Sequence, residues 1–405
     1  MAVAVKLLVV IILIVVLLLI KLDLGLIMFL SSVLLGLLFK HGFYEFTNNF
    51  FLTITNYTTL ELIGVIVLVY VLSSILLRTK SMEGIVSSLQ SIVADYRLIL
   101  FFIASFLGLI PMPAGAMFSA PLVRKIGEKN NLTPEEIMFS NYWFRHTWEF
   151  IWPLIPGVVL YSSVTGISLR DIMILQFPIS IAALLIGFVW MYSHLKKSIN
   201  DEINYKDLKN QILNFFKSVW SILLIVSLVL FANLDLLIAL GITIIILIVI
   251  HKISVVTLKE IALRDISFKV IILIIGIMFF KQVLESTQGM NQIPQIFSAI
   301  GINIWVILFI IPFLLGFLTG ITTGFIGISF PILMPLMIQG GSLNLSMVVF
   351  AYVAGFVGMM MSPMHLCFTV TVEYLKVNIF SFYKTLAIHL LVLLVASSIY
   401  IYLLV

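Results

Sequence analysis

The feature that most limits the fold is a pair of Gly/Pro-broken apolar stretches. The first reads Gly108-Leu-Ile-Pro-Met-Pro-Ala-Gly-Ala-Met-Phe-Ser-Ala-Pro121, the second Gly316-Phe-Leu-Thr-Gly-Ile-Thr-Thr-Gly-Phe-Ile-Gly-Ile-Ser-Phe-Pro331. After each comes a polar turn and another long apolar segment carrying a proline. Tyr142 and Pro153 stand eleven residues apart in the first copy, as Tyr352 and Pro363 do in the second, 210 positions further on. An interrupted helix frees backbone N–H and C=O groups that lipid cannot satisfy. Such a break is tolerable at membrane depth only where protein or a water-filled cavity covers it. Breaks at corresponding places in two halves point to a transporter's binding site.

A membrane setting follows from composition: 62% of the 405 residues are hydrophobic and only 10% charged, more apolar surface than a soluble domain needs. The single Cys367 leaves no internal disulfide framework and no cysteine-based zinc site, so no metal and no cofactor is expected. Lys6 before the first apolar run has the flavour of a signal peptide. However, Lys21-Leu-Asp23 leads straight into a second run, which reads as a helical pair. The net charge of +5 does not suggest nucleic acid, because the basic residues sit in short loops and orient the chain instead.

Apolar segments of about 17–25 residues can cross a bilayer. They fall near 4–20, 24–40, 59–78, 137–160, 171–193, 217–232, 234–250, 269–285, 345–375 and 384–404. The broken stretches, about 98–122 and 304–336, read as re-entrant hairpins: Pro111, Pro113 and Pro121 crowd the first, and Gly316, Gly320, Gly324 and Gly327 the second. Placing the loops at 78–97, 123–136, 194–216, 251–269 and 376–384 and the turn at Lys21 in the cytoplasm puts eighteen of the 23 Lys and Arg inside or, for Lys217, at that interface. The two hairpins then enter from opposite faces. The expected fold is an all-α polytopic membrane protein, about ten transmembrane helices plus two re-entrant hairpins in an inverted repeat. Its halves span 1–195 and 217–405, joined by a cytoplasmic linker at 196–216, in a multi-pass protein of the cell membrane among lipid.

Pro/Gly-rich hairpins with Ser-Pro-broken helices resemble the ion transporter superfamily, which includes dicarboxylate/sodium symporters, gluconate and lactate permeases, arsenite pumps and some sodium/proton antiporters. More narrowly, Asn141-Tyr-Trp-Phe-Arg145 and Ser362-Pro-Met-His-Leu-Cys367 resemble an uncharacterised family of integral membrane proteins from archaea and bacteria within it. The resemblance implies a homodimer whose scaffold holds two mobile transport domains. The dicarboxylate branch carries Ser-Asn-Thr at its hairpin tips. This chain has only Thr322-Thr323-Gly324 as a partial analogue, so dicarboxylate specificity does not carry over.

Ionisable side chains inside a span are costly and mark function by default. Arg145-His146-Thr147-Trp148-Glu149 is the densest group. Arg145 and Glu149 stand i, i+4 and can pair on one helix face, which gives a structural reading among interfacial tryptophans. The functional reading makes Arg145 an anion ligand and His146 or Glu149 a proton carrier. His365 follows the Ser362-Pro363 break, where freed carbonyls and a helix N-terminus can hold ions; its bland reading is packing. Gly115, Ser119, Thr322, Thr323, Gly324 and Ser362 complete the candidate solute site at the hairpin tips and breaks, against a bland reading of the hydroxyls as helix–helix glue. Lys281 and Glu285 read as a structural pair.

No Walker motif, dinucleotide fingerprint, His-Glu-x-x-His or nucleophile elbow is present, so no enzyme is expected. The leading expectation is a secondary active transporter for a small solute, anionic on the strength of Arg145, working by alternating access. Sodium or a proton would be the coupling ion, with His146, Glu149 and His365 as the coupling residues. The alternatives are a sodium/proton-type cation antiporter and a lipid-handling intramembrane protein.

Overall fold

A computed structural model describes residues 3–110, 115–197, 207–287 and 301–404. It confirms the fold class: the chain is an all-α polytopic membrane protein. The first half holds α1 (Val3–Leu19), α2 (Leu24–Leu38), α3 (Phe43–Thr55), α4 (Tyr57–Arg78), α5 (Ser81–Ile92), α6 (Tyr96–Gly108), α7 (Ala116–Lys129), α8 (Pro134–His146), α9 (Pro156–Thr165) and α10 (Leu169–His194). The second holds α11 (Leu208–Leu230), α12 (Leu236–Ile250), α13 (Val255–Glu260) continued by a π-helical turn at Ile261–Asp265, and α14 (Phe268–Ser286). It goes on with α15 (Ile304–Thr319), α16 (Thr322–Met337), α17 (Leu345–Met360), α18 (Leu366–Leu375) and α19 (Ile379–Leu403). Between α16 and α17 a small hairpin pairs β1 (Ile338–Gln339) with β2 (Ser342–Leu343), turning on Gly340 and Gly341, both at positive φ.

Short polar side chains between the apolar runs start the helices. Asp23, Asn56, Asp235 and Asn303 each accept a first-turn N–H of α2, α4, α12 and α15. Thr133 and Glu136 close a capping box on α8, with Pro134 in the first turn. Lysine marks several helix ends: Lys21, Lys40, Lys80, Lys252 and Lys376 all adopt positive φ. There a cation meets the negative end of the helix dipole and the side chain can reach the interface.

The observed helices depart from the expected spans in several places. By length and apolarity, four described helices suffice to cross a bilayer: α4, α10, α11 and α19. The bent pair Val255–Asp265 and Phe268–Ser286, angled at 58°, makes a fifth. Eight more, α1, α2, α6, α12, α15, α16, α17 and α18, are apolar but shorter, 10–17 residues, because the breaks and tight turns divide the apolar sequence. The segment 137–160 is two helices, α8 and α9, and 345–375 is α17 and α18. The helix expected from 217 begins at Leu208, since Lys209 and Gln211 are good helix formers, which shortens the expected linker; residues 198–206 of that linker lie outside the described residues. Helix α7 runs on to Lys129. Neither α3 nor α5 was expected. The tip of the first hairpin, with Pro111 and Pro113, falls outside the described residues, whereas α15 and α16 occupy the second hairpin.

Two helices form the centre. Every residue of α8 from Ile137 to His146 is buried, and α17 is buried from Ser346 to Met360 except at Phe350. Helix α17 is apolar almost throughout and belongs inside a protein, whereas α8 also buries Ser140, Asn141, Arg145 and His146; Tyr142, Tyr161, Tyr352, Phe144, Phe150 and Phe325 fill the space around both. Glycine brings the hairpins onto this pair. A Cβ on Gly108 of α6 would meet the Arg145 carbonyl, and one on Gly316 of α15 the Gly355 carbonyl. The returning arms cross over: α7 packs on α18 and α16 on α9.

Candidate functional site at the meeting of the two breaks

Helix α8 ends at His146, and the chain turns irregularly through Pro153 until Pro156 starts α9. Helix α17 ends at Met360, and the chain turns through Pro363 until α18 begins at Leu366. Proline has no N–H to donate and disfavours helix before it, so both interruptions are encoded locally. Two tyrosines sew the breaks together. The Tyr142 hydroxyl donates to the Met360 carbonyl at 2.9 Å, and the Tyr352 hydroxyl donates to the Glu149 carbonyl at 2.5 Å. Each thus satisfies a carbonyl freed by the opposite break.

His146 and His365, 219 residues apart in sequence, meet with their Nε2 atoms 2.9 Å apart. Nδ1 of His146 donates to the Tyr142 carbonyl at 2.6 Å, and Nδ1 of His365 to the Gly320 carbonyl at 2.5 Å. Gly320 ends α15 at φ +65°, a conformation that glycine adopts without strain, and a Cβ there would run into the His365 backbone. Glu149 lies beside the pair. One carboxylate oxygen is 3.8 Å from His146 Nε2, and the other accepts the Thr322 hydroxyl at 2.6 Å. Thr322, in the first turn of α16, also packs on Gly157 of α9. Hairpin tip and breaks thus converge on one buried centre.

The structure brings His146, Glu149, His365 and Thr322 together and separates others. Arg145 is buried, and its Nη1 has no hydrogen-bond partner. The Arg145–Glu149 pair of the structural reading does not form, because α8 stops at His146 and Glu149 leaves the helical register that i, i+4 pairing requires. The Ser362 hydroxyl is committed: it donates to the Phe317 carbonyl at 2.5 Å and accepts the Met364 N–H at 3.1 Å, so it holds the second break on α15. Gly324 packs on the Thr319 side chain, and Thr323 is half-buried. Gly115 caps α7, and Ser119 is buried on α7 with an unpartnered hydroxyl; neither hydrogen-bonds to the histidine centre. Lys281 and Glu285 share α14 but form no ion pair. Sequence reasoning set Cys367 aside because it is a single cysteine, yet its Sγ lies with one ring nitrogen of each histidine in a group mutually within 4.8 Å. It also passed over the bonding of Tyr142 and Tyr352, signalled only by their matched spacing.

Among solved structures the chain is similar to that of the Alcanivorax borkumensis YdaH transporter, described as having an unusual topology. The TM-score is 0.63 at 12% identity, with 96% of this chain and 97% of that chain covered. That is a likeness of fold. No curated protein matches. A family model described as "Protein of unknown function (DUF401)" matches residues 2–405, and the chain belongs to that family.

Proposed function

We propose that the chain is a secondary active transporter that moves a small anionic solute across a membrane by alternating access. The observation that carries this reading is the opposition of two interrupted helices, each break stitched to the other, with a buried arginine one residue from the centre. Interrupted helices placed in this way are the binding device of many secondary transporters, whose gaps hold solute and coupling ion near the midplane. Arg145 supplies the anion preference. A buried guanidinium with a free donor is costly unless a negative group joins it, and its planar fork suits a carboxylate or phosphate. The shared fold with a transporter supports the same reading, as does the sequence resemblance to the ion transporter superfamily. Crossed tyrosine bonds and exchanged hairpin arms support an inverted repeat with re-entrant hairpins. Transport would draw on a sodium or proton gradient.

The test is uptake by proteoliposomes of radiolabelled phosphate and a panel of small carboxylates, with sodium and pH gradients imposed separately. Uptake of at least one anion is expected only with a gradient present. Arg145→Ala should lower it at least tenfold, the loss expected when a charged hydrogen bond of about 1.5–3 kcal/mol disappears. Uptake unchanged by Arg145→Ala would remove the arginine from the site. No gradient-dependent uptake of any anion would remove the reading.

A further inference from the structure

The two facing histidines pose a chemical problem. A neutral imidazole has one N–H donor and one bare acceptor nitrogen. Both Nδ1 atoms lie against backbone carbonyls, at 2.6 Å for His146 and 2.5 Å for His365, and a carbonyl only accepts. Both Nδ1 atoms therefore carry the hydrogen, and both Nε2 atoms are bare. Those bare nitrogens face each other at 2.9 Å, where two lone pairs repel. A cation between them turns repulsion into binding. A third donor lies at the same place, since Cys367 Sγ and one ring nitrogen of each histidine all lie within 4.8 Å of one another.

We propose that His146, His365 and Cys367 form a binding site for one divalent transition-metal ion of the zinc class. Histidine nitrogen and thiolate sulfur are zinc's own ligand types, and three protein ligands leave a fourth position open to a small molecule. Sodium, magnesium and calcium prefer oxygen and are poorly served by this donor set. The bracing is that of a metal site: a ligating histidine usually gives its other N–H to a carbonyl or carboxylate, which fixes the ring and the tautomer. A Cys367 thiolate and the Glu149 carboxylate together offset a doubly charged ion, and the charge of buried Arg145 remains for an anion. The competing account is a proton held between the histidines with Cys367 as its hydrogen-bond partner and counter-charge, and metal titration separates the two. The ligands come from the end of α8, the second break and the first turn of α18, so one ion would bridge both halves of the chain.

The full chain, purified in detergent and stripped of metal, is titrated with zinc alone and, as a spectroscopic probe, with cobalt. One ion per chain should bind, and cobalt should show a thiolate-to-metal absorption band. Cys367→Ser, close in size, should abolish the band. His365→Ala should weaken zinc by more than the roughly tenfold to hundredfold lost on removing an outer-shell partner. His194→Ala, an exposed control, should change neither. A chain that binds no zinc stoichiometrically overturns the site, as does a cobalt band indifferent to Cys367→Ser in a monodisperse protein. So does a nitrogen NMR signature of one proton shared by His146 and His365 when zinc is in excess. Binding is measured without membrane or gradient, so a failed transport assay leaves it standing, and failed binding leaves transport to be judged on Arg145.

Discussion

Asp95 and Arg97 show how a single ion pair holds a helix start at the membrane edge. The Asp95 carboxylate accepts the Arg97 N–H at 3.0 Å and the guanidinium Nη2 at 2.6 Å, while Arg97 also donates to the Leu195 carbonyl. Arg97 stacks on Tyr192 besides, so α6 is tied to the end of α10. Burial alone would push the Asp95 carboxyl up, but the bonds and charge of Arg97, with Lys197, outweigh it and hold the group below the usual aspartate range. A carboxyl lowered on folding stabilises the native state above its unfolded pKa, and that contribution fades as pH falls through the folded value. The melting temperature in detergent should therefore drop on acidification, and Asp95→Asn should flatten part of that drop. An unchanged acid limb in the variant would show that the pair contributes nothing measurable.

Close helix crossings depend on missing side chains. A Cβ on Gly358 of α17 would meet the Phe313 carbonyl, and one on Gly316 the Gly355 carbonyl, both backbone atoms that cannot swing away. Gly316→Ala or Gly358→Ala should cost about 1–3 kcal/mol or more through overpacking. Gly241 lies within α12 with open space around it, so Gly241→Ala should gain about 0.5–1 kcal/mol from helix propensity. Chemical denaturation in detergent separates the two cases, and a uniform response would sink the crossing argument. At this scale the sequence was partly legible. Pro and Gly punctuation announced the broken helices and the second hairpin, because those residues act through their own backbone. Helices α3 and α5 escaped notice, since Asn48, Asn49, Ser87 and Ser88 interrupt the apolar runs by which spans are found. Arg145 and Glu149 looked paired because spacing rules presume a helix that continues, and this one stops between them.

At the scale of the molecule, the proposed opposite entry of the two hairpins has a direct test. Lys125 on α7 and Ser342 beyond α16 are both exposed, and the proposed topology would set them on opposite sides of the membrane. In a Cys367→Ser background, Lys125→Cys should react with an impermeant maleimide only from the cytoplasm and Ser342→Cys only from outside. Labelling of both from one side would end the inverted arrangement. The meeting of His146, His365 and Cys367 belongs to the whole molecule, which is why no local pattern announces it. Residues 219 apart in sequence share no turn or periodicity, and only the packing of α8, α17 and α18 assembles them.

The crossed tyrosine bonds carry a mechanical consequence. With Tyr142 anchored to the far end of α17 and Tyr352 to the chain just past α8, the centre is braced along both diagonals, like a gate with two struts. A frame so braced resists shear within itself and swings as one leaf. Any motion that exposes the centre first to one face and then to the other must run along a hinge line outside the braced frame, where α9 leans on α4 and α16 on α14.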